Sequence, residues 1–299
     1  MGSVFLEVVL PVALVAVLGG LVGRWRRIPL APVSALTFYL FGPALVFHTL
    51  ATTTLSAATS FRIVSVMLAT FVAMYLAAAA WSRVVGHDPS WRAGFALVAT
   101  SPNVGNMGLP VASLAFGAAG FEVAVMTFVV GAVLANSGGI VIASLAGGSR
   151  RAALGAPFRF PALYATVAGV LVNVLGIRLP VAIDAPIASL AAASVPVMLV
   201  VLGLQLQLAT GRERLLDLFA ANAGRLLIAP SVAWGAATVV GLGGVERATL
   251  TVIAAMPTAV IATIIATEFR AQPAFVTRAV VSSTLVSMVT LTVLITLVR

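Results

Sequence analysis

Between residues 100 and 120 the chain reads TSPNVGNMGLPVASLAFGAAG. Pro102, Gly105, Gly108 and Pro110 crowd this stretch, with Asn103 and Asn106 among them. Proline removes a backbone donor and clashes with the preceding turn, and glycine loosens a helix. The pattern predicts two half-helices meeting end to end rather than one continuous rod. Such a break frees backbone N–H groups at the positive end of a helix dipole and sets two side-chain amides beside them. Groups of that kind suit an anion. Residues 254–269, AAMPTAVIATIIATEF, repeat the theme in weaker form, with Pro257 in the matching place and Thr258 and Thr263 as polar groups. The candidate substrate-binding residues are therefore Asn103, Asn106, Pro102, Gly105, Pro257 and Thr258. Asn103 and Asn106 would share a face of a continuous helix. In a broken one their aim is not set by spacing.

A second set of residues could couple an ion. Glu122, Glu268 and His48 sit near the ends of apolar stretches, and Ser283 and Thr284 lie in the last one. An interfacial charge, a satisfied histidine or a helix-packing hydroxyl is the plainer reading of each. Other chemistry is poorly supplied. There is no Cys, and two His and eight acids make neither a metal centre nor a cofactor site. No GxSxG elbow and no pair of mid-membrane carboxylates point to an enzyme. No Gly-x-x-x-x-Gly-Lys loop points to ATP. The Arg positions all read as lying outside the membrane centre. A substrate carboxylate is thus expected to meet amides and helix ends rather than a guanidinium. Gln205 and Gln207 lie on two faces of one helix, and one of them is expected to look inward.

The elements that must position these groups are membrane helices. Of 299 residues, 61% are hydrophobic and 8% charged, against about 25% charged in a soluble domain. A soluble enzyme, a nucleic-acid binder and a disordered chain are excluded. Ten apolar stretches are legible, at about 4–22, 32–50, 62–82, 92–116, 121–144, 159–176, 185–208, 225–243, 248–268 and 275–298, each near the length of a span. The positive charges after the first stretch, rather than before it, mark a retained helix. All 17 basic residues are Arg. With the amino terminus outside, 13 fall in inner loops, Arg150, Arg151, Arg159, Arg212 and Arg225 among them, and 4 outside. Ten spans return the carboxyl terminus to the outside.

The two halves resemble each other. Pro29 and Pro180, Pro43 and Pro196, and Pro102 and Pro257 are separated by 151, 153 and 155 positions. This predicts a duplicated five-helix unit, residues 1–148 and 149–299. Because five is odd, the second copy is inverted, an arrangement typical of secondary transporters. The expected fold is an all-α membrane protein of ten transmembrane helices in a 5+5 inverted repeat.

The stretch SPNVGNMGLPVASLAFGAAG resembles the signature of the auxin efflux carrier family, bacterial relatives of the plant PIN proteins. GPALVF at 42–47, LVNVLGIRLP at 171–180, ASVPVMLVVLGLQL at 193–206, LLIAP at 226–230, AAMPTAV at 254–260 and SSTLVSMVTL at 282–291 agree in order. The resemblance covers essentially the whole chain. It implies a fold similar to the bile-acid sodium symporters, in which broken helices 4 and 9 cross in a transport domain and two helices per half form a panel. It implies an elevator-type, alternating-access carrier of small organic anions, such as malate, malonate or an auxin-like acid, in a bacterial inner membrane. Export driven by the membrane potential is the preferred direction. A proton- or sodium-coupled symporter remains the alternative and a channel a weaker one. The expected partners are the anion and the lipid bilayer, not nucleic acid, with a homodimer left open.

Overall fold

A computed structural model describes residues 1–144, 161–205 and 214–299. The expected repeat boundary at 148/149, Arg150, Arg151, Arg159, Arg212 and Gln207 lie outside the described residues. Among the described residues the chain is helical and has no strand. The helices run α1 Gly2–Arg26, α2 Leu30–Thr52 and α3 Ala57–Val84. Next come α4 Pro89–Thr100 and then α5, which starts as Val104–Gly108 and continues as Leu109–Ser144. They are followed by α6 Pro161–Val174, α7 Val181–Gln205, α8 Leu215–Val239, α9 Gly244–Ala254, α10 Ile261–Glu268 and α11 Pro273–Val298. Among the described residues, seven segments are long and apolar enough to cross a membrane: α1, α2, α3, Val104–Ala135 of α5, α7, α8 and α11. Leu14, Leu18, Leu21, Val167, Val239 and Val289 are among many large apolar side chains left on the outside, as a lipid-facing surface requires.

Proline shapes these helices in two ways. Pro11, Pro43, Pro110 and Pro230 each follow a short π-helical turn, at Phe5–Val9, Thr37–Phe41, Val104–Gly108 and Gly224–Ile228. The residue before each proline donates five residues back, for example Gly42 N–H to Thr37 O. The ring cannot accept the carbonyl of the preceding turn at its usual distance, so that turn widens while the helix survives. Pro102 and Pro257 act differently, because there the helix stops. Gly117, with φ 65°, interrupts α5 between the expected fourth and fifth stretches.

One boundary departs from expectation. The eighth helix starts at Leu215, ten residues before the expected start of the eighth stretch at 225. Asp217 lies in the first turn of this helix. It is 1% exposed and paired inside the protein, so it does not hold the segment in water. Arg225, counted above as an inner-loop charge, is therefore in the middle of α8 and 2% exposed.

The helices pack in two groups. α1 lies along α7, and α2 lies along α6 and α7. α3, α4, α5 and α8–α11 form the second group. Close approach in the first relies on small residues: a Cβ on Gly169 would fall 2.8 Å from Phe47 O. In the second, a Cβ on Gly94 would fall 2.6 Å from Ala271 O. Gly94→Ala is expected to push α4 off the turn before α11, at a cost of about 1–3 kcal/mol, read as a lowered thermal midpoint of the detergent-solubilised protein.

Candidate functional site

The two short helices α4 and α9 end at Thr100 and Ala254. Each is about 17 Å long at 1.5 Å per residue, roughly half a bilayer core. The backbone beyond them is not helical, and the two extended pieces pair with each other. Pro102 and Thr258 form an isolated antiparallel bridge. Asn103 N–H donates to Pro257 O at 2.7 Å, and Ala259 N–H donates to Ser101 O at 2.8 Å. Thr258 N–H donates to Ser283 Oγ of α11 at 3.1 Å, and Thr258 Oγ1 donates to Val98 O at 3.3 Å. Non-helical backbone persists at such depth only when its polar groups are satisfied by protein or face a cavity. Here each non-helical piece satisfies backbone groups of the other.

Not every group is satisfied. Asn103 is 4% exposed, and its Nδ2 donor has no hydrogen-bond partner. Its carbonyl accepts from Gly108 N–H at 3.0 Å, which opens the first turn of α5. Asn106, one turn on, is half-buried, and its Nδ2 donates to Gln205 Oε1 at 3.4 Å. Gln205, at the end of α7, is buried and looks inward. Gly105 presses on Phe128, whose ring would lie 2.9 Å from an added Cβ. The structure thus gathers Pro102, Asn103, Pro257, Thr258 and Ser283 at one place and links Asn106 to the neighbouring helix group.

Of the other expected ion-coupling residues, Glu122 and Thr284 are hydrogen-bonded within the protein. Glu122 Oε2 accepts from Thr53 Oγ1 at 3.0 Å and from Thr54 N–H at 3.2 Å, tying α5 to the segment that follows α2. Glu268 is exposed at the end of α10, and among the described residues it forms no ion pair with Arg270. His48 is half-buried near the carboxyl end of α2. Thr284 Oγ1 donates to Val280 O within its own helix at 2.7 Å.

Arg225 corrects the expectation that no guanidinium lies at this depth. Its Nη1 donates to Ala99 O at 2.6 Å and its Nη2 to Ala254 O. It holds the carboxyl ends of α4 and α9 at once, and its Nε has no partner. Beside it a cavity of about 40 Å³ is bounded by Thr70, Thr100, Pro102, Gly131 and Ile253, room for a water molecule or two. Starting α8 at LLDLF rather than at Arg225 would have revealed this residue in the sequence.

A second polar cluster also went unread. His87, 2% exposed, has Nε2 3.2 Å from Asp217 Oδ1 and Nδ1 3.2 Å from Ser82 Oγ. Trp81 Nε1 donates to the same Asp217 oxygen at 3.0 Å. Asp217 sits in the first turn of α8, where the dipole favours a negative charge. Asp217→Ala leaves the Trp81 donor without an acceptor. It is expected to cost about 1–3 kcal/mol, measured as a fall in thermal midpoint.

A family model described as "Membrane transport protein" matches the chain at residues 4–153 and 149–295. The chain belongs to this membrane transport protein family. An "Uncharacterized transporter" from Methanothermobacter thermautotrophicus is 30% identical over 212 residues, 71% of this chain and 70% of that protein. The resemblance carried by residues 101–120 to the auxin efflux carriers is borne out by the family match. The protein is a multi-pass membrane transporter and not an enzyme.

Proposed function

We propose that this transporter is a secondary carrier of small organic anions that binds its cargo at the crossing of the two breaks. The observation that carries the proposal is the unpartnered donor of buried Asn103 at the start of α5. A buried donor without an acceptor costs about 1–3 kcal/mol, and a carboxylate oxygen would relieve it. The helix dipole adds a positive end at the same point.

In this reading α4 with the start of α5, and α9 with α10, are the broken helices 4 and 9 of a ten-span, 5+5 inverted repeat. Gly117 separates spans four and five. α1, α2, α6 and α7 form the panel. The remaining helices carry the crossing past it, elevator fashion, so that the site opens to each side in turn. The protein resides in a bacterial inner membrane with both termini outside. A monoanion moving alone carries charge, and an interior-negative potential drives it outward by about 2.3 kcal/mol per charge per 100 mV. Ser283 and Thr284 already spend their hydroxyls on protein partners, which supports uncoupled movement over a proton- or sodium-coupled symport.

The test is flux of labelled malate, malonate and indole-acetate in proteoliposomes under an imposed potential. Saturation, counterflow and potential-dependent efflux of at least one acid are expected. Non-saturating flux would point to a channel, and flux that ignores the potential would overturn the uncoupled mechanism.

A further inference from the structure

Four half-helix ends meet at the crossing. Each helix end carries about half an elementary charge, positive at the amino end and negative at the carboxyl end. The amino ends of α5 and α10 together contribute about +1, and the carboxyl ends of α4 and α9 about −1. Left alone, the four ends cancel, and the crossing holds no preference for an anion over a neutral molecule. Arg225 changes the sum. Its guanidinium donates to Ala99 O in the last turn of α4 and to Ala254 O at the end of α9. Among the described residues no carboxylate is paired with it, since the ion pairs are His87 with Asp217 and Glu7 with Arg299.

We propose that Arg225 is the charge-setting residue of this transporter: by capping the two negative helix ends it leaves the crossing with about one net positive charge, suited to a single carboxylate. The inference rests on the anion-carrier reading and narrows it to monoanions. A second observation points the same way. The buried, unpartnered Nδ2 of Asn103 stands at the start of α5, one of the two positive ends, and needs an acceptor. Arg225 therefore acts through the helix ends while Asn103 touches the cargo. A neutral or dianionic cargo leaves the crossing with a net charge near +1 or −1, which is costly at bilayer depth. Arg278 also lies in α11, five residues before Ser283, but it holds neither half-helix end.

The experiment is counterflow of labelled indole-acetate in proteoliposomes, competed by unlabelled indole-acetate, by the uncharged indole-acetamide and by malonate as a dianion. The parent is expected to prefer the acid over its amide by 10-fold or more and to take malonate more weakly. Arg225→Lys keeps that order. Arg225→Gln brings the acid-to-amide ratio to within about 2-fold of one, while Arg278→Gln leaves it as in the parent. A ratio unchanged in a folded Arg225→Gln protein overturns the proposal. If that variant does not fold, the parent decides: equal competition by acid and amide overturns it, and a 10-fold preference kept by Arg225→Lys supports it. Failure of the parent to transport any of the acids would instead sink the anion-carrier reading itself.

Discussion

Asn103→Ala is expected to abolish most carboxylate flux while leaving the fold intact. The side-chain donor makes no bond within the protein, so its removal takes away nothing that holds the breaks together. Those are joined by main-chain bonds, Asn103 N–H to Pro257 O and Ala259 N–H to Ser101 O. Alanine keeps both. What disappears is a donor to the charged cargo. A hydrogen bond to a charged group contributes about 1.5–3 kcal/mol, so affinity should fall by roughly 10- to 100-fold. Asn106→Ala is expected to fall less, because Asn106 also spends its donor on Gln205 at 3.4 Å. The measurement is the concentration dependence of counterflow for parent and variants, with thermal midpoints taken alongside. Parent-like flux from both variants would remove the crossing as the binding place.

Gly203→Val is expected to leave little folded protein. A Cβ at Gly203 would stand 1.8 Å from Ala16 O and 2.6 Å from Gly20 N. It would fall inside the main-chain ladder of α1, where no side chain can turn aside. Gly20 and Gly19 face the same contact, with added Cβ atoms 3.0 Å from Gly203 O and 2.8 Å from Val200 Cα. Overpacking costs about 1–3 kcal/mol where side chains can adjust. Here α1 and α7 would have to separate along their length, so about 3 kcal/mol or more is expected. In lipid such close backbone approach supplies much of what holds helices together. Gly235→Ala is the control, since a Cβ there meets nothing within 4 Å. The yield of monodisperse protein in detergent should collapse for Gly203→Val and hold for Gly235→Ala. Equal yields would show that α1 and α7 are not so closely packed.

The membrane class and the helix ends near Pro102 and Pro257 were legible because they depend on local chemistry. A run of apolar residues has one solvent that suits it, and a proline acts on the turn it occupies. The Asn103–Pro110 and Pro257 signals therefore translate into helix ends within a few residues of where they stand. Start points were less legible. Asp217 falls in the segment left out of the eighth stretch, and a carboxylate in an apolar run is costly by itself. Its partners, His87 and Trp81, lie 130 and 136 residues away in sequence.

By itself the sequence determined that this chain lies in a membrane and that prolines and amides stand close to where two helices end, since composition and proline act over one or two turns. Only the tertiary structure decided what meets at those helix ends. Bringing Thr258 onto Pro102, and Arg225 onto Ala99 and Ala254, joins residues 29 to 156 positions apart. The sign of the charge at the crossing is a sum over four helix ends and one guanidinium. No single stretch of sequence contains that sum.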